Sequence, residues 1–284
     1  MKKILSVLMT IMMLVTLSGC IVDSSAHSGV EDGVLTIAME CAYAPYNWTQ
    51  TDDSNGAVPI KDTNDFANGY DVMIAKRICE ANGWELEVVR SDWDSLVPSV
   101  QTGVIDAVIA GQSMTKERSE QVDFAGPYYY ATFAILVKDS SPLANATSIK
   151  DFGGYKGTAQ SATIWYSECL PQMDGAKIQT AAESAPAMIM GVETGIFDFA
   201  VTDLPTATGA TIAYDDLKVL DFSGTDGDFK FSEEEREENV NIGISVRKGN
   251  TVLKEAIDSY LDTLTVDDFN AIMDEAIKVQ PLGE

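Results

Sequence analysis

Short apolar, β-branched segments alternate in this chain with segments of helical periodicity, and this alternation restricts the possible folds more than any other feature. Residues 34–39 and 85–89 have the composition of strands, and residues 71–82 and 93–102 carry apolar side chains at helical spacing. Residues 104–110 are almost continuously apolar, which is typical of a strand buried on both faces. This order predicts βαβ units, and therefore an α/β protein with a mainly parallel sheet and helices on both faces.

The second half of the chain shows the same kind of alternation. Strands are predicted at residues 132–137, 156–162, 197–201 and 241–246, and helices at residues 181–194 and 251–278. Parallel sheets bind ligands beyond the carboxyl ends of their strands. Functional residues are therefore expected in the loops that follow the predicted strands.

Length, charge and histidine content exclude several classes of function. The 284 residues are enough for one large domain or two domains of ordinary size. The formal net charge of -25 opposes binding to the phosphates of nucleic acids, so no nucleic-acid partner is predicted. Because His27 is the only histidine, one chain cannot form a histidine-based metal site or a Ser-His-Asp triad. Neither a metal nor a cofactor is predicted.

The first twenty residues have the layout of a secretory signal. Lys2 and Lys3 precede an apolar run, which ends in Leu17-Ser18-Gly19-Cys20. These last four residues resemble the bacterial lipobox. The resemblance implies a lipoprotein signal peptide at residues 1–19 and a lipid on Cys20 that anchors the mature protein to the cell membrane, outside the cytoplasm. An ordinary signal peptide or short anchor with an incidental cysteine is the alternative.

The remaining polar and thiol features of the chain are less specific. Residues 20–33 are rich in serine, glycine and acidic residues and are predicted to be a flexible tether. Cys41, Cys79 and Cys169 are too widely spaced for a zinc motif. Cys41 and Cys79 either form a disulfide in an export compartment or remain buried free thiols.

Residues 103–129 read GVIDAVIAGQSMTKERSEQVDFAGPYY. This segment resembles the polar amino acid-binding proteins of bacterial ABC importers, whose motif is a G-x-x-D strand, a loop of small residues, T-x-x-R, and a D-F-[S/A]-x-P-Y-Y segment. Supporting segments occur before and after it in the same order as in the family, at residues 43–46, 69–71 and 197–203. The resemblance extends over about residues 34–280.

The resemblance implies the two-lobed α/β fold of type II periplasmic binding proteins. Each lobe is then a mainly parallel sheet flanked by helices, and two hinge strands join the lobes. Residues 34–128 and 242–284 are expected to form lobe 1. Residues 129–241 are expected to form lobe 2, including the hinge strands.

A free amino acid carries a carboxylate and an ammonium, and burying both requires one fixed cation and one fixed anion. Arg118 follows a predicted strand, and its planar guanidinium can hold the α-carboxylate through two parallel hydrogen bonds. The resemblance assigns the α-ammonium to Asp203, which also suits a helix N-cap, and both roles can hold together. Gly111 and Ser113 are expected to complete the head-group site from lobe 1, and Thr163 from lobe 2.

Side-chain specificity is expected to come from lobe 1. The resemblance places Tyr43 and Tyr70 beside the side chain of the ligand, with loop packing as the alternative role of Tyr43. Glu40 is placed at the tip of that side chain, where a carboxylate favours a guanidinium, ammonium or amide. The alternative for Glu40 is a solvated charge. Trp48 either lines the same pocket or packs in the core, and Gln112 receives no assigned role.

The function implied is a lipid-anchored receptor that captures a polar amino acid and delivers it to an ABC permease. Arginine, lysine or glutamine is favoured, and cystine and other polar amino acids remain alternatives. Such a protein is expected to be a monomer. One alternative is a small-molecule lyase or dehydratase on the same two-lobed scaffold, with Glu40 or Glu168 as a lone acid or base. Another is a sensory domain, which needs a partner that the sequence does not show. The receptor function requires Arg118 and Asp203 to face each other across a cleft between the lobes.

Overall fold

The computed structural model describes residues 28–281, apart from the side chains of residues 237 and 238. The predicted signal peptide, the lipidation site Cys20 and most of the predicted tether lie outside the described residues. The strands are β1 Val34–Met39, β2 Ala42–Tyr43, β3 Asn47–Gln50, β4 Val58–Pro59, β5 Phe66–Asn68, β6 Glu85–Arg90, β7 Ala107–Val108, β8 Val122–Tyr129, β9 Phe133–Lys138, β10 Lys156–Thr158, β11 Lys177–Ile178, β12 Phe199–Asp203, β13 Leu217–Leu220 and β14 Ile242–Arg247.

The α-helices lie between and after these strands. They are α1 Tyr70–Asn82, α2 Leu96–Thr102, α3 Lys116–Gln121, α4 Ala185–Glu193, α5 Leu204–Ala213, α6 Glu233–Asn239, α7 Thr251–Leu261 and α8 Val266–Val279. Short 3₁₀ turns occur at Ser54–Gly56, Trp93–Ser95, Pro142–Asn145, Ile149–Phe152 and Leu170–Gln172, and Trp165–Cys169 forms a π-helical turn. No helix within residues 28–281 has the length and apolar character needed to span a bilayer.

Two five-stranded sheets form the framework of the protein. The first has the order β6-β1-β7-β14-β8, and the second has the order β11-β10-β12-β9-β13. In each sheet four strands run in the same direction, and the fourth strand in the order, β14 or β9, runs antiparallel to them. The structure therefore confirms the mainly parallel sheets expected from the alternation of strands and helices.

The chain crosses between the two sheets twice. It leaves the first sheet after β8, enters the second at β9, and returns from β13 through α6 to β14. We call the part built on the first sheet lobe 1 and the part built on the second sheet lobe 2. A small sheet of order β2-β3-β5-β4 belongs to lobe 1 and follows β1 directly. The segments after β1, β7 and β10 and the last residue of β12 carry the predicted site residues, apart from Tyr70, which begins α1.

The sheet of lobe 2 is buried on both faces. On β9, Phe133, Ile135 and Val137 belong to a large apolar core that continues into lobe 1, while Ala134 and Leu136 belong to a smaller core on the opposite face. Alternate side chains of a strand point to opposite faces. This alternation explains why the strand segments of lobe 2 are continuously apolar in the sequence.

The start of α1 depends on a glycine. Gly69 has a φ of 122°, and a Cβ atom at this position would lie 2.3 Å from the carbonyl oxygen of Tyr46. The close approach lets the first helical N–H groups, those of Tyr70 and Asp71, donate to the carbonyl oxygens of Pro45 and Tyr46. The aromatic loop after β2 is thereby attached to the N-terminus of α1.

The structure corrects one expectation from the sequence and decides between two alternatives that the sequence left open. The strand predicted at residues 104–110 is limited to Ala107–Val108, and its predicted burial is wrong at Val104, which is 73% exposed. The chain turns at this point because Gly103 ends α2 in the left-handed conformation. Of the two alternatives for Cys41 and Cys79, the structure has buried free thiols.

Candidate ligand-binding cleft

Two adjoining cavities lie between the lobes. One of about 650 Å³ is lined by Arg118, Gln112 and Lys116 from lobe 1 and by residues 162–164 and 166–168 from lobe 2, among others. The other, of about 900 Å³, is lined by Glu40 and Arg90 from lobe 1 and by Ser161 and Glu183 from lobe 2, among others. Trp93 and Asp94 line both cavities. Together they form one cleft. We name its ends after Arg118 and Glu40, the cationic end and the acidic end, although Glu117, Glu168 and Glu235 also line the first cavity.

Arg118 marks the cationic end of the cleft. It lies in the first turn of α3, where its N–H donates to the side chain of the N-cap residue Thr115. Its guanidinium donates from Nη1 to the carbonyl oxygen of Ser113 at 2.8 Å and from Nη2 to that of Ala162, in lobe 2, at 2.7 Å. The same group lies 5.3 Å from the centre of the Trp93 ring.

Burial between the lobes lowers the pKa of the Arg118 guanidinium to about 10, so the group remains charged at neutral pH. Within residues 28–281 the guanidinium forms no ion pair, and its hydrogen bonds go to two neutral carbonyl groups. A partly buried cation without a carboxylate partner is an energetically favourable place for an anionic group of a ligand.

Glu40 marks the acidic end of the cleft. It follows β1, and its Oε2 accepts a hydrogen bond from Nε2 of Gln160, in lobe 2, at 3.3 Å. Burial raises the pKa of Glu40 to about 7, and the negative charges of Asp92 and Asp94 act in the same direction, against the hydrogen bond from Gln160. Glu40, Asp92 and Asp94 therefore repel one another at this end of the cleft, and a cationic group of a ligand would reduce that repulsion.

Asp203 is enclosed rather than exposed to the cleft. It is fully buried and caps α5, where it accepts from the N–H of Thr206 at 2.9 Å and from its hydroxyl at 3.0 Å. The hydroxyl of Tyr43, from lobe 1, donates to Oδ2 of Asp203 at 2.5 Å. Burial raises the pKa of Asp203. Asp203 thus contacts lobe 1 through Tyr43 but lines neither cavity, and the expected placement of Arg118 and Asp203 on opposite sides of one cleft is not seen in this structure.

Tyr43 and Tyr70 belong to one group of stacked aromatic rings beneath the cleft. Tyr43 stacks on Tyr46 with the ring centres 5.0 Å apart, and Tyr70 stacks on Tyr128 at 5.7 Å. The hydroxyl of Tyr70 donates to the carbonyl oxygen of Tyr128. Tyr70 is fully buried and lines neither cavity of the cleft. The proposed contact of both tyrosines with a ligand side chain stays a prediction.

The loop after β7 lies against these rings. Gly111 has a φ of 64°, and a Cβ atom there would lie 2.9 Å from the ring of Tyr43. Its N–H donates to the hydroxyl of Tyr128 at 2.9 Å. Ser113 is buried, and its carbonyl group is one of the acceptors of Arg118. Thr163 lines the cationic cavity, and its hydroxyl donates to the carbonyl oxygen of Gln160.

A buried carboxyl group connects the elements around this loop. Asp71, at the start of α1, accepts from the hydroxyl of Tyr128 at 2.6 Å and from the side-chain amide of Asn47 at 2.8 Å. Burial raises its pKa to about 7. The Tyr128 hydroxyl donates to Asp71 and accepts from the N–H of Gly111, so this chain of hydrogen bonds holds the loop after β7 against lobe 1.

Several residues of the cleft were not selected from the sequence, and others now have a location. Trp93 and Gln160 were missed. Trp93 was assigned only to the predicted helix at residues 93–102, although it lies three residues after the end of β6, where the rule on carboxyl ends of strands indicates a ligand site. Gln112 lines the cationic cavity, and its side chain accepts from the hydroxyl of Ser245. Trp48 is buried and lines a third cavity of about 310 Å³, not the cleft.

Thermal stability is expected to fall as the pH rises from about 5 to about 8. The raised pKa values of Glu40, Asp71 and Asp106, the last about 6, mean that the folded protein holds protons that the unfolded chain has released. A state that binds more protons is favoured at lower pH. We expect the Tm from scanning calorimetry to be roughly 5 °C higher at pH 5 than at pH 8. Asp71→Asn should reduce the difference, and a Tm that increases over this range would contradict the prediction.

Two lobes of this topology, joined by two connections and enclosing a polar cleft, define a type II periplasmic binding protein. The same fold occurs in the crystal structure of the amino acid ABC transporter substrate-binding protein AbpA from Streptococcus pneumoniae Canada MDR_19A bound to L-arginine. That structure matches with a TM-score of 0.70 at 25% identity and covers 87% of this chain and 95% of AbpA. The chain belongs to the bacterial extracellular solute-binding proteins, family 3, which match residues 35–278.

Two relatives that are named for the amino acid they bind align with most of this chain. The arginine-binding extracellular protein ArtP of Bacillus subtilis (strain 168) is 28% identical over 223 residues, which cover 77% of this chain and 79% of ArtP. A probable histidine-binding protein of Neisseria gonorrhoeae is 26% identical over 241 residues, which cover 84% of this chain and 81% of the relative. The family match and the structural match confirm the family and the two-lobed fold that the resemblance at residues 103–129 implies. Both relatives are named as binding proteins, and the family is one of solute-binding proteins.

Proposed function

We propose that this protein is a receptor that captures a cationic amino acid, represented here by arginine, between its two lobes and delivers it to an ABC permease. One observation carries the proposal. The unpaired cation Arg118 and the acidic group around Glu40 line adjoining cavities that share Trp93 and Asp94. Opposite charges at the two ends of one cleft match a ligand with a carboxylate at one end and a cation at the other.

The head group of the ligand would be held by residues from both lobes. The guanidinium of Arg118 takes the α-carboxylate, with Thr163 approaching from lobe 2. Gly111 and Ser113 supply backbone groups from lobe 1. Asp203 takes the α-ammonium, for which the hydroxyl of Tyr43 has to give up its present hydrogen bond to the carboxylate or share it.

The side chain of the ligand would extend along Trp93 towards Glu40. A guanidinium or ammonium over the indole ring gains a cation–π interaction of about 0.5–2 kcal/mol. At the end of the cleft it meets Glu40, with Asp92 and Glu183 nearby. Among the three ligands expected from the sequence, arginine and lysine fit these charges better than glutamine. The names of ArtP as arginine-binding and of AbpA as arginine-bound support the same choice.

Delivery would follow the general plan of the family. Residues 34–128 and 242–284 would move as lobe 1 and residues 129–241 as lobe 2, with the connections near residues 128–132 and 238–241 as hinges. The lipid on Cys20 would hold the monomeric receptor at the outer face of the cell membrane, beside its permease. Mass spectrometry of the protein from a membrane fraction tests the anchor, since Cys20→Ala would remove the lipid.

Titration calorimetry of the purified mature protein against the twenty amino acids tests the binding function. We expect arginine or lysine to bind most tightly and acidic amino acids not to bind. A folded protein that binds none of the twenty would overturn the proposal, and turnover of a cyclic acid would favour the lyase alternative.

Replacing Glu40 with glutamine is expected to weaken arginine binding by about tenfold, because the amide oxygen can still accept a hydrogen bond but the negative charge that attracts the ligand cation is lost. Since the pKa of Glu40 is about 7, arginine affinity of the wild type should rise between about pH 6 and pH 8 as the carboxylate ionises. Calorimetry at several pH values measures both effects. The Glu40→Gln variant should have a flat profile, and Glu80→Gln, on the exposed face of α1, should behave like the wild type. An affinity that falls with pH would refute the role of Glu40.

A further inference from the structure

The side-chain amide of Gln160 is the lobe 2 group that contacts the specificity carboxylate of lobe 1. Its Nε2 donates to Oε2 of Glu40 at 3.3 Å, across a separation of 120 residues in the chain. Within residues 28–281 this is the only hydrogen bond that the carboxylate of Glu40 receives, and Oε1 receives none. One oxygen of Glu40 is thus occupied from lobe 2, and the other remains available to a ligand.

Gln160 is held firmly where it makes this contact. It is 3% exposed, and its backbone pairs with Ala182 in a parallel bridge beside the sheet of lobe 2. Its carbonyl oxygen accepts from the hydroxyl of Thr163 at 2.7 Å. The amide therefore reaches Glu40 from a position fixed by the fold of lobe 2, not from a mobile loop end.

We propose that Gln160 is a positioning residue that sets the preference for a cationic over a neutral ligand. Its amide donates to one oxygen of Glu40 when the lobes meet, which leaves the second oxygen as a negatively charged acceptor for the tip of the ligand. This inference rests on the proposed function, because it assumes that the tip of a bound amino acid reaches Glu40.

The surroundings of Glu40 make such a donor necessary. Burial opposes the charged form of this carboxyl, and so do the nearby negative charges. The titratable and charged groups that face Glu40 or line its cavity are Cys41, Tyr43, Arg90, Asp92, Asp94 and Glu183. Of these only Arg90 is a cation, and it also lies 3.5 Å from Asp65. The amide of Gln160 is the direct contact that favours an ionised Glu40.

A protonated Glu40 would lose this selectivity. An ionised carboxylate strongly prefers a guanidinium, which offers charge and parallel N–H groups, whereas a carboxylic acid can also donate to the carbonyl oxygen of a neutral tip. Removing the donor of Gln160 should therefore weaken binding of a cationic ligand more than binding of a neutral ligand of the same shape.

Gln160→Met tests the inference because methionine fills a similar volume and cannot donate. Arginine and citrulline, which replaces the guanidinium by a neutral ureido group, are compared by calorimetry over a series of pH values. At about pH 7 we expect arginine affinity to fall about tenfold and citrulline affinity to fall less than about threefold. The pH at which arginine binding reaches half of its full strength should rise by about one unit.

The matched control is Gln179→Met, because the side-chain amide of Gln179 donates, among the described residues, to the carbonyl oxygen of Lys177 in the same lobe and not to Glu40. It should leave both affinities and the pH profile unchanged. Gln160→Ala provides a second variant without the donor if the methionine variant does not fold, as judged by thermal unfolding. Equal losses for the two ligands, or an unchanged pH profile, would overturn the inference. A wild type that binds no amino acid would instead overturn the proposed function.

Discussion

Arg118→Ala is expected to lower the affinity for arginine by about 100-fold or more. Truncating one member of a buried, hydrogen-bonded charge pair costs about 2–5 kcal/mol, because the remaining charge keeps its desolvation penalty. The ligand carboxylate would be left in the cleft without its guanidinium partner, and Lys116 would be the remaining basic residue that lines this cavity. Titration calorimetry of the variant against arginine measures the loss.

The structure makes a sharper version of this experiment possible. Arg118 also joins the lobes through the carbonyl oxygen of Ala162, so its loss could act on lobe closure instead of on the carboxylate. Agmatine, which is arginine without the α-carboxylate, separates the two effects. If Arg118 binds the carboxylate, the variant and the wild type should bind agmatine about equally.

Arg77→Ala is the matched control for Arg118. Arg77 lies in α1 of the same lobe and contacts Glu275 at 3.7 Å, away from the cleft. This variant should bind arginine like the wild type. Wild-type affinity of Arg118→Ala for arginine, in a folded protein, would show that the carboxylate is bound elsewhere.

Asp203→Asn is expected to lower arginine affinity by about 30- to 100-fold while leaving the thermal stability unchanged or slightly higher. Asparagine can keep the oxygen that caps α5 at Thr206, but it places an NH2 group where Oδ2 accepts from Tyr43, so the Tyr43 hydroxyl has to accept there instead of donate. The substitution also removes the charge that would bind the α-ammonium. Because burial already disfavours the charged form of Asp203, removing its negative charge should not destabilise the fold. Calorimetric titration and thermal unfolding measure the two quantities.

Asp203→Ala completes the comparison. It removes the cap as well as the charge and should cost about 1 kcal/mol of stability or more. Asp221→Asn is the control for loss of charge alone, because Asp221 is an exposed residue of lobe 2 whose carboxylate accepts, within residues 28–281, from the N–H of Ser223 and contacts no residue of the cleft. If Asp203→Asn binds arginine as tightly as the wild type does, Asp203 is a helix cap without a role in binding. If Asp203 binds the α-ammonium, the affinity for an arginine analogue without the α-amino group should be the same for Asp203→Asn and the wild type.

Much of the local structure was predictable because it depends on near neighbours. The strand at residues 34–39 was predicted at its observed bounds, and the helix at residues 71–82 within one residue. Gly83 and Gly103 end their helices in the left-handed conformation, the role that glycine most often has there. The prediction failed at residues 104–110, where composition indicated burial but the turn after Gly103 exposes Val104.

The contacts across the cleft could not be predicted in the same way. Arg118 meets Ala162, Tyr43 meets Asp203, and Glu40 meets Gln160, over separations of 44, 160 and 120 residues. Motif matching indicated most of these residues one by one. It did not indicate that Tyr43 would cover Asp203 or that a glutamine of lobe 2 would reach Glu40, since neither follows from spacing along the chain.

By itself, the sequence determined the alternation of strands and helices, the type of fold and the separate identities of a cation and several carboxylates near strand ends, because periodicity and capping act within a few residues. Only the tertiary structure decided which of these groups meet. Two separately formed sheets bring their loops to one cleft, and burial there changes the charge and the hydrogen-bond partners of side chains that would otherwise be ordinary solvated groups.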